Sequence, residues 1–130
     1  MNSPDTSNIL TIAPILLDVR GVSVEFVAKG QPPARAVADV SFRLRKGEML
    51  GLVGESGCGK TTLMLALLRL LPEAGRIVSG QINFMDRDLL ALSEQQMAEV
   101  RWTGISIVFQ GAMNALNPVR TVGDQIAEAL

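Results

Sequence analysis

The chemistry in this sequence is concentrated in eight consecutive residues. Gly54, Glu55, Ser56, Gly57, Cys58, Gly59, Lys60 and Thr61 match G-x-x-x-x-G-K-[ST], the pattern of a loop that cradles phosphate. Glycines reach backbone conformations closed to other residues, so successive N–H groups can converge on one anion. A helix opening directly after the loop adds its unpaired N–H groups and the positive end of its dipole. Lys60 is then the cation for β- and γ-phosphates, and the Thr61 hydroxyl is a ligand for Mg²⁺. Cys58 has two readings: a thiol made reactive by Lys60 and the helix end, or a small residue at a variable position whose N–H serves the phosphate. The second is preferred.

A second candidate is Gln110, a carboxamide closing the apolar run at residues 105–109. It has two equal readings: a ligand to Mg²⁺ or to an attacking water, or a polar cap on a strand.

The elements that must position these residues are legible in outline. Leu17, Val19, Val22, Val24 and Phe26 alternate with a slip at Arg20 and Gly21, which predicts a strand with a bulge. Residues 29–33 read as a loop. Residues 37–44 alternate again, with Val40, Phe42 and Leu44 on one face, so the two segments are expected to pair antiparallel. Residues 49–53 are continuously apolar, as a strand buried on both faces would be. Residues 61–71 predict a buried helix, apolar nearly all round and stopped by Pro72. Residues 80–84 read as a short strand and residues 86–88 as a turn. Ser93 and Gln96 form a capping box that starts a helix near Glu94. Residues 105–109 predict another strand, with Trp102 packing near it. Residues 114–118 read as a loop, and a helical pattern begins at Thr121. The fold class is α/β with an antiparallel β portion.

Composition excludes several functions. The 130 residues carry 12 Lys+Arg against 13 Asp+Glu, a net charge of −1. That balance gives no overall attraction to nucleic acid or an anionic bilayer. There is no histidine, so no His-based triad, general base or metal ligand exists within these residues. The single cysteine fits a reducing compartment. No apolar run approaches the roughly 20 residues of a membrane span. The polar start reads as a disordered leader through residue 15, with no basic region of a secretory signal.

Residues 51–62 closely resemble the Walker A region of ABC transporter ATP-binding subunits. Val108, Phe109 and Gln110 resemble their Q-loop. Residues 113–118 and 121–126 look like the peptide/nickel (oligopeptide/dipeptide) importer branch. Val40-Ser41-Phe42 and Gly47-Glu48 fit the family's approach to the phosphate loop.

The resemblance implies a P-loop NTPase fold, an ABC-type nucleotide-binding domain with an antiparallel β subdomain. Residues 16–130 would be its N-terminal part, from Walker A to the Q-loop and the start of the helical subdomain. It also implies that Gly54, Glu55, Ser56, Gly57, Cys58, Gly59, Lys60, Thr61 and Thr62 bind ATP. Thr61 and Gln110 would hold Mg²⁺, and Lys60 and Gln110 would serve catalysis. Phe26 stands either where the family places an adenine-stacking aromatic or as a core phenylalanine completing the first strand. The implied partners are membrane-spanning permease subunits and a second ATP-binding subunit, with no nucleic acid. The implied location is peripheral, on the cytoplasmic face of the cell membrane.

The family's signature sequence, Walker B aspartate, catalytic glutamate, D-loop and switch histidine are absent. Ile15-Leu16-Leu17-Asp18 imitates a Walker B strand, but it precedes the phosphate loop and Val19 stands where the glutamate belongs. The expectation is therefore an incomplete domain: ATP binding here, and ATP hydrolysis coupled to solute import in the intact protein. The segment alone is expected to be poorly stable, with open sheet edges. The rival readings are a non-catalytic nucleotide-binding or interaction module and a different P-loop enzyme such as a small kinase.

Overall fold

The computed structural model describes residues 12–109, 111 and 116–128. Four strands form one antiparallel sheet: β1 (Ile15–Phe26), β2 (Ala34–Arg45), β3 (Gly75–Phe84) and β4 (Arg87–Asp88), in the order β2-β1-β3-β4. Three helices accompany it, α1 (Lys60–Leu67), α2 (Glu94–Thr103) and α3 (Val122–Ala127). The residues expected as a leader lie mostly outside the described chain.

β1 is flanked on both sides, which explains its long buried runs. The slip expected at Arg20 and Gly21 is present, and it interrupts the register with both neighbours. Three hydroxyls serve the interrupted ladder. Gly21 N–H donates to Ser41 Oγ at 2.8 Å, Ser79 Oγ donates to the Gly21 carbonyl at 3.2 Å, and Asp39 N–H donates to Ser23 Oγ at 2.9 Å. The bulge thus leaves those backbone groups paired. β3 begins at Gly75, five residues before the expected strand, because it pairs along β1 as far as Phe26. Met85 and Asp86 both have positive φ, the geometry of a two-residue type I′ hairpin turn. That leaves Arg87 and Asp88 to pair as β4 rather than to turn.

The core joins Val19, Val22, Val24 and Ile82 of the sheet to Leu63, Ala66 and Leu67 of α1 and Met97 and Val100 of α2. Helix α1 is shorter and less buried than its composition suggests. Met64 is exposed, and the helix ends at Leu67, ahead of Pro72. Its end is a Schellman motif: Leu70 N–H donates to Leu65 O at 2.8 Å and Arg69 N–H to Ala66 O at 3.0 Å. Arg69 takes the left-handed conformation usually given to glycine, and its guanidinium donates to the Leu92 carbonyl at 2.6 Å and the Leu89 carbonyl at 3.2 Å. The helix stops by its own cap, so proline is not needed to break it.

Helix α2 starts as predicted. Gln96 N–H donates to Ser93 Oγ at 3.3 Å, and Ser93 N–H donates to Gln96 Oε1 at 2.9 Å. Trp102 does not pack as expected. It is 64% exposed, because α2 turns Met97 and Val100 inward instead.

Two expected strands are not strands. Residues 49–53 and 105–109 carry no sheet pairing among the described residues, and Val53 and Val108 are 95% and 94% exposed. A doubly buried strand needs a backbone partner and side-chain cover on each face. The described antiparallel strands pair with one another and leave these two runs without either. The expected loop at residues 114–118 lies partly outside the described residues. Thr121 caps α3 by accepting from Asp124 N–H.

Candidate phosphate-binding site

The loop at residues 54–59 runs into α1 without a side-chain cap. Gly59 occupies the N-cap position with φ 94°, no side chain accepts from the first turn, and that turn holds no acidic residue. Opening N–H groups of a helix that lack an intrahelical acceptor, beside the positive dipole end, form a ready anion site. Glycine is required at Gly59, where a Cβ would fall 2.4 Å from the Ala36 carbonyl oxygen of β2; a Cβ on Gly54 would fall 2.5 Å from Cys58 Sγ, which would have to rotate away.

Lys60 is folded back over the loop. Its Nζ donates to the Gly54 and Glu55 carbonyls, each at 2.6 Å, and lies 3.4 Å from Cys58 Sγ. The Glu55 carbonyl also accepts from Cys58 N–H at 3.3 Å. The positive charge is thereby held at the loop, within reach of any anion on its N–H groups. Cys58 is an exposed free thiol.

Beside the loop is a cavity of about 370 Å³ lined by Val37, Val40, Leu52, Val53, Cys58 and Lys60, among others. None of the described residues lining it is a carboxylate. Ala36 and Val37 were not marked by any motif. They join the site through the close approach of β2 to Gly59, which no local spacing reveals. A second cavity, of about 260 Å³, brings Thr61, Lys60 and Met64 together with residues 107–109. The run leading to Gln110 therefore reaches the Thr61 side of the helix start. Gln110 itself lies outside the described residues.

Phe26 ends β1, half-buried. Its ring packs at Gly75, where an added Cβ would come within 2.9 Å, and it does not line either cavity at the loop. Asp18, the aspartate of the imitated Walker B strand, is buried and accepts from Arg20 and from Arg43 Nε at 3.2 Å. Its carboxylate is engaged within the sheet.

Mg²⁺ can be tested against the donor set. No cluster of three acidic, cysteine or histidine side chains is found among the described residues. The exposed Thr61 hydroxyl in the first turn of α1 fits a Mg²⁺ that takes most of its oxygens from phosphate and water.

The family model described as ABC transporter matches residues 37–129. A probable peptide ABC transporter ATP-binding protein from Sinorhizobium fredii is 50% identical over 119 residues, covering 91% of this chain and 35% of that protein. A dipeptide transport ATP-binding protein from Bacillus subtilis is 44% identical over 116 residues, covering 88% of this chain and 34% of that protein. A glutathione import ATP-binding protein from Salmonella typhimurium is 45% identical over 121 residues, covering 88% of this chain and 19% of that protein. The chain thus spans about a third or less of the length of these relatives.

Proposed function

This chain belongs to the ABC transporter family, and from that premise we propose that it binds ATP through residues 54–62 as part of an importer's ATP-binding subunit. One observation carries the proposal: α1 opens behind Gly59 with no side chain accepting from its first turn, and Lys60 is held at the same loop. In this reading the N–H groups from Gly57 to Thr62 take phosphate oxygens, and Lys60 exchanges its carbonyl partners for the β- and γ-phosphates. Glu55 and Ser56 contribute loop backbone, and Cys58 contributes its N–H.

Thr61 is the proposed Mg²⁺ ligand, with Gln110 as a second. When bound, Mg²⁺ would neutralise charge developing on the phosphates. Phe26 keeps two readings, a stacking ring for adenine or a core phenylalanine, and its packing at Gly75 favours the second. In the whole protein, ATP hydrolysis would power import of peptides or related solutes, a substrate class suggested by the names of the relatives. The proposed partners are permease subunits and a second ATP-binding subunit at the cytoplasmic face of the membrane. No helix of the described chain is long and apolar enough to cross a membrane.

A second reading, a nucleotide-binding module without turnover, is motivated by the lack of a carboxylate among the described residues lining the loop cavity, since hydrolysis needs a group to polarise water. Titration of the chain with ATP and Mg²⁺, followed by a phosphate-release assay, tests both. Binding lost in Lys60→Ala supports the site. Hydrolysis by this chain that also disappears in Lys60→Ala rejects the module reading. No binding at all rejects both.

A further inference from the structure

We propose that Arg101 is a positioning residue for the phosphate and Mg²⁺ site, acting from the far end of α1; the inference rests on the ATP-binding reading above. Arg101 stands in the last turn of α2, and its side chain is 20% exposed. Its Nε donates to the Leu68 carbonyl at 2.8 Å, its Nη2 lies 3.5 Å from the Arg69 carbonyl, and its Nη1 donates to Glu94 Oε1 at 2.6 Å. Leu68 is the C-cap of α1 and Arg69 the residue after it. The Schellman bonds occupy the Leu65 and Ala66 carbonyls, and Arg101 takes those of Leu68 and Arg69, further along the same helix end. One guanidinium fork thereby ties the C-terminus of the phosphate-loop helix to α2.

The consequence reaches the other end of the helix. α1 has only eight residues, a rod about 12 Å long at 1.5 Å per residue. A tilt at its C-terminus is therefore a displacement at Lys60 and Thr61. Arg101 also stands just before Gly104, which is wedged under Phe84: a Cβ there would meet the ring at 2.7 Å. The N–H groups of Gly104 and Ile105 both donate to the Val100 carbonyl, at 2.8 and 2.9 Å. From this pinned exit the chain proceeds to residues 107–109, which face Thr61 across the second cavity. Arg101 thus ties the end of α1 to α2, from whose C-cap the run to residues 107–109 departs. Its bonds set the separation between Thr61 and residues 107–109. Lysine offers a point charge rather than a planar fork and cannot span the Leu68 carbonyl and Glu94 in the same way.

The test is equilibrium binding of ATP, with Mg²⁺ and in EDTA, to the 130-residue chain and to Arg101→Ala, Arg101→Lys and Glu94→Gln, with circular dichroism giving the folded fraction. In Mg²⁺, folded Arg101→Ala is expected to bind ATP about tenfold more weakly, the equivalent of one or two lost hydrogen bonds. In EDTA the loss shrinks to about threefold, because the displaced Lys60 still weakens the phosphate contact while the Thr61 separation no longer counts, and Arg101→Lys regains part of the Mg²⁺-dependent loss. A purely structural arginine would lower the melting temperature and leave the ratio of the two affinities unchanged. An unchanged ratio in Arg101→Ala overturns the inference and leaves ATP binding standing. If Arg101→Ala does not fold, the same result in Glu94→Gln has the same force. A wild-type chain whose ATP affinity ignores Mg²⁺ also overturns it, and a chain with no ATP affinity overturns the inference and the function together.

Discussion

The Cα of Gly59 lies so close to β2 that a methyl group on it would sit 2.4 Å from the carbonyl oxygen of Ala36. The phosphate loop and the antiparallel sheet are therefore in backbone contact at the residue that opens α1. This contact seats the loop on β2 and makes the sheet part of the site.

Gly59→Ala is expected to fail twice over. Its φ of 94° is strained for any residue with a side chain, and the contact is with backbone that cannot rotate away. The cost is about 1–3 kcal/mol for the strained conformation alone. Urea unfolding should show the lower midpoint, and ATP titration should show lost binding. A variant with wild-type stability and affinity would mean that the loop does not rest on β2.

Lys60→Ala should separate binding from folding. The ammonium bonds three loop atoms in an exposed setting, where water readily replaces it. The melting temperature should change little, while ATP affinity falls by about ten- to a hundredfold with the loss of a charged phosphate contact. Parallel calorimetry and nucleotide titration measure both. Equal binding by the variant would remove Lys60 from the site.

Asp18 should give the protein an acid-sensitive component of stability. The hydrogen bond from Arg20 lowers its pKa below the ordinary value, burial opposes that shift, and the bond from Arg43 adds to the lowering. A carboxylate with a depressed folded-state pKa contributes stability that is complete above the unfolded value, about 4. The contribution is lost as pH falls through the lower folded-state value. Urea midpoints measured between about pH 2 and 7 should therefore decline at the acid end. Asp18→Asn should be less stable at neutral pH and show a flatter decline. Glu94, lowered chiefly by its hydrogen bond from Arg101, acts with the same sign. Superimposable pH profiles for wild type and Asp18→Asn would contradict the Arg20 and Arg43 pairing.

Two apolar residues should respond oppositely to substitution. Ile82 is fully buried between β1 and the helices, so Ile82→Ala should cost about 2–5 kcal/mol. Val53 is almost fully exposed although it lies in the most apolar run before the loop, and Val53→Ser should stay within about 0.5 kcal/mol. Denaturant unfolding of both variants decides this. A large loss at Val53 would show that residues 49–53 are packed as a strand after all.

Much of the fold and site was legible because the controlling interactions are local. The bulge at Gly21, the capping box of Ser93 and Gln96, the alternation of β1 and β2 and the phosphate-loop pattern each depend on residues a few positions apart. Such interactions depend on backbone conformation and near neighbours, which sequence spacing encodes directly. The expectations for residues 49–53 and 105–109 failed for the opposite reason. Their composition shows that they prefer burial, but burial requires partners from elsewhere, and the described chain brings none to them.

The sequence by itself determined which atoms can hold phosphate: glycine amides, one lysine and one threonine hydroxyl, in an order that a strand-loop-helix backbone can close around an anion. It also determined that these 130 residues hold no histidine. Only the tertiary structure decided that β2 abuts Gly59, that Arg69 ends α1 before Pro72, and that Arg101 grips the carbonyls beyond it. These are contacts between residues more than twenty positions apart, or a backbone conformation that such contacts hold in place. They arise when the sheet and helices pack together, and no local pattern announces them.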